Sequence, residues 1–134
     1  MQQKIFVDTN IFIYTLFDVD LSKQQAAIAL FRKAAQDYVS LWTTEWVMAE
    51  IVWFLQRQKF TWNAISDCVS KALNSKGLEV RNKKWLEEVL LDCAQQTDFI
   101  DVINIHLISA ERILKAYSYD KGLSHFKNIT RLEP

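Results

Sequence analysis

Lys4-Ile5-Phe6-Val7-Asp8 is a short apolar run that ends in a carboxylate. Its length and composition suit a strand buried inside a parallel sheet. From there the chain alternates helix and strand. A helical stretch covers about residues 11–17, and Ser22 with Gln25 has the capping-box pattern for a helix running towards Asp37. Residues 38–42 read as a second strand. Thr43 or Thr44 caps a strongly apolar helix to about Gln58, and Thr61 caps another up to Asn74. Gly77 turns the chain into a short strand, Leu78-Glu79-Val80. Asn82 then caps a helix to about Gln96, and Thr97 caps the next, over roughly residues 98–115. A strand over residues 116–119 ends at Asp120, Lys121-Gly122-Leu123 turns away, and residues 129–132 form a last edge strand. Strands and helices alternating over short links predict an α/β fold, with a central, mostly parallel β-sheet flanked by α-helices. With one Pro, two Gly and no repeat or low-complexity stretch, there is no place for a linker. Residues 1–134 are expected to form a single domain.

Half of the residues are hydrophobic and 13% are aromatic, with five Trp. That composition supplies a core and excludes a disordered chain. The two cysteines, Cys68 and Cys93, have neither CxxC spacing nor a nearby His cluster. They read as small buried hydrophobes rather than a disulfide or zinc ligands. Met1-Gln2-Gln3-Lys4 leads directly into the first strand without an apolar leader region. No run of about 18 uncharged apolar residues is present to span a membrane. The expectation is a cytoplasmic protein. Sixteen Lys plus Arg balance sixteen Asp plus Glu, so net charge lends no support to nucleic-acid binding; an acidic pocket would offset a basic rim around it.

In an open α/β sheet, ligands bind beyond the carboxyl ends of the strands. Asp8 and Asp120 each follow a predicted strand directly, although either could serve as a cap for the next helix. Glu50 is flanked three and four residues away by Trp46, Val47, Trp53 and Phe54. Neighbours at that spacing share a helix face, so Glu50 is expected within the apolar stripe, where an isolated carboxylate is costly. Glu45 is expected nearer solvent at the start of the same helix, where its charge suits the dipole. Asp98 and Asp101 are one turn apart on a later helix and surrounded by Phe99, Ile100, Val102 and Ile103. Asp98 can serve the helix start, whereas Asp101 is a full turn in, and Asn104 keeps that face polar. Carboxylates directed at one place repel each other unless a cation neutralises them. Hard oxygen ligands without Cys or His select Mg²⁺ or Mn²⁺, and such a site suits metal-assisted phosphodiester hydrolysis.

The acids lie in four motifs that together resemble the PIN-domain nucleases. Val7-Asp8-Thr9-Asn10 follows the first strand, and Ala49-Glu50-Ile51 sits inside an apolar helix. Phe99-Ile100-Asp101 opens a later helix, and Ser118-Tyr119-Asp120 ends a late strand. The four occur in the family's order across nearly the whole chain. The resemblance implies a three-layer α/β/α arrangement and a metal-dependent endoribonuclease acting on single-stranded RNA. Asp8, Glu50, Asp101 and Asp120 would be the catalytic and metal-binding acids, with Mg²⁺ or Mn²⁺ as cofactor. Thr9 and Asn10 would support Asp8, Ser118 would hydrogen-bond within the site, and Asp98 would be a further supporting residue. The resemblance extends to the toxin half of a type II toxin–antitoxin pair (VapC-like), inhibited by a small antitoxin and forming a homodimer. Two departures stand out. Ser118 replaces the commoner Thr, and residues 104–110, Asn-Ile-His-Leu-Ile-Ser-Ala, are bulkier than usual in the family.

Trp46 and Trp53 read as core, while Trp62 and Trp85 sit near helix starts among polar neighbours and suit a partner surface. Arg81, Lys83 and Lys84 form a basic cluster; Lys121, Lys127 and Arg131 follow the Asp120 strand and are candidates for RNA phosphates. His106 and His125 suggest no metal pair, although His125 lies near Asp120 in the chain. Among rival readings, a haloacid-dehalogenase-like phosphatase needs a second Asp where Asn10 stands. A response-regulator receiver needs paired early acids. A PIN scaffold kept as a non-catalytic RNA- or protein-binding module is the remaining alternative.

Overall fold

The computed structural model describes residues 3–93 and 97–134, apart from the side chain of His125. The helix expected to reach about Gln96 ends at Leu91, residues 94–96 of that expectation lie outside the described residues, and so does the part considered for His125. Among them, six α-helices and five short strands alternate, and the fold class is α/β with parallel strand pairing, as the sequence predicts. The chain falls into two compact units, Met1–Glu87 and Glu88–Pro134.

The first unit runs β1 (Lys4–Phe6), α1 (Thr9–Leu16), α2 (Leu21–Ala35), β2 (Ser40–Thr43), α3 (Glu45–Arg57), α4 (Trp62–Leu73) and β3 (Leu78–Val80). Its three strands are parallel in the order β1-β2-β3, with Ile5 opposite Leu41 and Leu41 opposite Leu78. Parallel neighbours require a crossover, and each crossover here is a pair of helices. β2 lies in the middle, and Leu41 and Thr43 have no exposed surface. Thr43 donates its hydroxyl to the Val7 carbonyl at 2.8 Å, and the Val7 N–H donates to the Trp42 carbonyl at 2.9 Å. The chain is thus clamped to β2 up to the residue before Asp8. The expectation that the whole opening run is buried fails. Ile5 and Phe6 are 51% and 53% exposed, and Val7 alone of the apolar three is buried, because β1 sits at the end of this sheet.

α3 corrects a second expectation. Val47, Met48, Ile51, Val52 and Leu55 are its buried stripe, while Trp46 and Trp53 are 58% and 52% exposed. The helix carries two apolar stripes, and the compact aliphatic one packs inward, where interdigitation is closest. Glu50 lies on the outward stripe with the two tryptophans and is exposed. Trp53 is instead covered by the Arg57 guanidinium, 4.6 Å from its ring centre.

Thr44 and Thr61 cap α3 and α4 as read from the sequence. α2 begins two residues earlier than predicted, because its cap is Asp20 rather than Ser22, and Asp20 accepts the Lys23 N–H at 3.0 Å. Asn82 precedes its helix as read from the sequence, its carbonyl accepting the Leu86 N–H at 3.0 Å. Its φ is 57°, and its amide donates to Glu45 Oε1 at 3.0 Å. Gly77, at φ 85°, is required twice over: a Cβ there would lie 2.1 Å from the Ala34 carbonyl oxygen.

The second unit begins within α5 (Lys83–Leu91) and continues through α6 (Phe99–Ala110), β4 (Lys115–Tyr117), a 3-10 turn (Lys121–His125) and β5 (Thr130–Leu132). β4 and β5 pair in parallel, with Ala116 opposite Arg131. Phe99, Val102 and Ile103 of α6 are buried. Asp98, not Thr97, caps this helix by accepting the N–H groups of Ile100 and Asp101 at 2.8 and 3.2 Å. The helix expected to reach Lys115 stops at Ala110. Arg112 takes φ 60°, and the N–H groups of Arg112 and Ile113 return to the Ser109 and Ile108 carbonyls at 3.0 and 2.9 Å. That is a Schellman ending without glycine. Cys68 and Cys93 are free and half-buried rather than fully buried. Burial, with Asp92 and Asp98 nearby, pushes the Cys93 thiol up to about 12. Among the described residues, no helix is long and apolar enough to cross a membrane.

Candidate functional site

In the first unit, the end of β1 delivers Asp8 to the start of α1. Its Oδ1 accepts the Thr9 N–H at 2.8 Å, so the carboxylate caps the helix. Thr9 then donates its hydroxyl to Glu50 Oε2 at 3.1 Å. One threonine therefore ties the acid at the first strand to the acid in the middle of α3. Asp8, Thr9, Asn10 and Glu50 line a single open groove of about 440 Å³, together with Ile13, Tyr14, Val19 and Phe54. Glu50 reaches this groove from the exposed side of α3, so the buried-carboxylate argument for it does not hold. Its place in the groove rests on Thr9.

The buried acid of α3 is Glu45, which was expected near solvent. It is 8% exposed and accepts two hydrogen bonds from Arg81, at 2.8 and 2.6 Å, besides the one from Asn82. The Arg81 hydrogen bond holds its carboxyl below the ordinary range. Arg81 is thereby withdrawn from the basic cluster, and Lys83 pairs with Asn74 and Glu87.

In the second unit, Asp98 caps α6, and Asp101 sits half-buried in its first turn. Burial holds the Asp101 carboxyl above the ordinary range, and the charges of Asp98 and Asp120 add to this. The side chains of Asp101 and Asp120 also share a hydrogen bond, which pushes Asp101 the same way. Asp120 lies three residues beyond the shortened β4, in a loop rather than at the strand end. Ser118 Oγ accepts the Asp120 N–H at 2.9 Å, and Asp120 Oδ1 accepts the Gly122 N–H at 2.8 Å. Arg131, read as a phosphate contact, braces this loop by donating to the Ser118 carbonyl at 2.9 Å and pairing with Glu133.

The structure thus groups the predicted residues into two sets: Asp8, Thr9, Asn10 and Glu50 in the first unit, and Asp98, Asp101, Ser118 and Asp120 in the second. Among the described residues, no three His, Cys, Asp or Glu side chains form a ready-made metal cage. Mg²⁺, however, is commonly held by one or two carboxylates with waters and substrate phosphate completing the shell. Asp8 and Glu50 each commit one carboxylate oxygen to the hydrogen bonds above, which suits that pattern of hard donors. Sequence reading missed Tyr14 and Phe54 as walls of the groove. Helical spacing was the available signal, since Tyr14 is four residues from Asn10 and Phe54 four from Glu50. It also missed the contact between His106 and Asp92, 2.6 Å apart. Compared with family models, curated proteins and solved structures, the chain has no match in any of the three.

Proposed function

We propose that the chain is a Mg²⁺- or Mn²⁺-dependent endoribonuclease that hydrolyses phosphodiester bonds in single-stranded RNA. The observation that supports this most is the Thr9 bridge, which holds Asp8 and Glu50 along one groove with hard oxygen donors available. By the resemblance of their motifs, Asp8, Glu50, Asp101 and Asp120 are the residues that would hold the metal. When bound, the cation supplies charge neutralisation at the phosphodiester and activation of the attacking water. The chain's own groups do the positioning. Thr9 orients Glu50, the α1 cap fixes Asp8, and Ser118 fixes Asp120. Burial first, and then the charges of Asp98 and Asp120, hold the Asp101 carboxyl above its ordinary range, and a cation would relieve that negative charge. The resemblance of the four motifs to PIN-domain nucleases extends the proposal to a toxin role in the cytoplasm, a small inhibitory antitoxin and a homodimer.

A non-catalytic binding module is the second reading, favoured by the use of Asp8 and Asp120 as ordinary helix caps. Mn²⁺ titration separates the two, followed by water-proton relaxation. The nuclease reading predicts binding by the wild type that weakens at least tenfold in Asp8→Asn and in Glu50→Gln. Equal, feeble binding by all three proteins, each still folded, favours the module.

A further inference from the structure

The groove beside Asp8 and Glu50 has an aromatic end. Along α1, Tyr14 follows Asn10 by four residues, and along α3, Phe54 follows Glu50 by four. Two contacts set the direction. Thr9 meets Glu50, and further along both helices Phe17 meets Phe54, edge-on at 5.6 Å and 75°. Tyr14 lies six residues beyond Asp8, and Phe54 is about one helical turn, ~5.4 Å, from Glu50. That is the kind of span a ribose bridges between its phosphate and its base. Phe54 is braced from behind, since Phe17 is itself held edge-on by Phe60 at 5.7 Å. Tyr14 carries a cation: Lys23 Nζ lies 5.2 Å from its ring centre and donates to its hydroxyl at 3.4 Å. The groove's volume, about 440 Å³, falls in the range of about 300–1,000 Å³ typical of small-ligand sites.

We propose that this end of the groove is a nucleobase subsite. A base attached next to the scissile phosphate packs against Phe54 and Tyr14, and Lys23 meets the neighbouring phosphate. The inference rests on the ribonuclease reading for its choice of occupant, and on the walls, the cation and the spacing for its place. Aromatic faces stack on any base, so the subsite selects nucleotides over sugar phosphates rather than one base over another.

The test is binding, read without turnover. Uridine and adenosine 5′-monophosphates are titrated into the protein against ribose 5-phosphate, in Mg²⁺ and in EDTA, with ¹H–¹³C NMR of the aromatic resonances. The proposal predicts shifts at Tyr14 and Phe54 and at least fivefold tighter binding of the nucleotides than of the sugar phosphate. Phe54→Leu and Tyr14→Leu, which keep apolar bulk, weaken the nucleotides about fivefold or more, and Phe54→Trp restores binding. Lys23→Gln weakens the monophosphates but leaves uridine itself unaffected. Equal binding of nucleotide and sugar phosphate, or Leu variants that bind like the wild type, overturns the subsite. If RNA is still cut in that case, the nuclease reading survives alone. If nucleotides fail to bind while an apolar peptide shifts the same resonances, the groove docks protein and the subsite is wrong. Nucleotide binding without RNA cleavage keeps the subsite and removes the nuclease.

Discussion

Thr9 Oγ1 donates to Glu50 Oε2 at 3.1 Å while its own N–H is held by Asp8 Oδ1 at 2.8 Å. Glu50 is exposed on its helix, so this hydroxyl sets where the carboxylate rests. Thr9→Val keeps the shape of the side chain and removes the donor. A hydrogen bond to a charged group contributes about 1.5–3 kcal/mol, so metal-dependent cleavage by Thr9→Val should fall roughly ten- to hundredfold. Thr9→Ser should recover most of it, with Tm nearly unchanged in both variants.

Thr43 is the corresponding support one layer below. Its buried hydroxyl satisfies the Val7 carbonyl just before Asp8. Thr43→Val leaves that carbonyl without its partner, at a cost of about 1–3 kcal/mol. Urea denaturation should show a lower midpoint with the slope unchanged. Cleavage should fall as well, because the clamp that places Asp8 is loosened.

Asp101 links the site to pH. Its folded-state pKa lies above the ordinary value, chiefly through burial and then through Asp98 and Asp120. A raised carboxyl binds its proton more tightly when folded. Its favourable contribution is therefore present below the ordinary carboxylate range and is lost as pH rises through the folded pKa. At pH 7 the ionised group is a burden. Asp101→Asn should raise Tm at pH 7 by roughly a few degrees, with the gain vanishing near about pH 3, while abolishing cleavage. Scanning calorimetry across that range reads both limbs.

Glu45 behaves in the opposite sense. The Arg81 hydrogen bond holds its pKa down, so its stabilisation is present above the ordinary carboxylate range and disappears as pH falls through the lowered value. Glu45→Gln should lower stability at pH 7 by about 1–2 kcal/mol and flatten the acid side of the stability profile. Cleavage at saturating metal should be unchanged in this variant, since Glu45 faces Arg81 and Asn82 rather than the groove.

The alternation of helices and strands was legible because caps such as Thr44 and Thr61, and the turn at Gly77, are strong local signals. Helix ends were harder to place. In a chain with two glycines, the left-handed positions after α2, α3 and α6 fall to Asp37, Lys59 and Arg112, none of which announces a stop. Asp8 and Glu50 line one groove, but the reason assigned to Glu50 was mistaken. Trp46 and Trp53 count as apolar in a periodicity argument, yet the helix turns its aliphatic stripe inward and leaves both rings outside. Glu45 was placed near solvent for a different reason, its position at the helix start, where a carboxylate suits the dipole. Its burial depends on Arg81, thirty-six residues away, which no local pattern reveals.

The central claim is that the chain cuts RNA by metal-dependent chemistry involving Asp8. The direct measurement incubates metal-free wild type and Asp8→Asn with a mixed pool of structured and single-stranded RNA, with and without Mg²⁺ or Mn²⁺. The account predicts cleavage of single-stranded RNA by the wild type only when metal is added, and none by the variant at equal folded concentration. If both folded proteins leave every RNA intact in either metal, or if Asp8→Asn cuts as fast as the wild type, the account is contradicted.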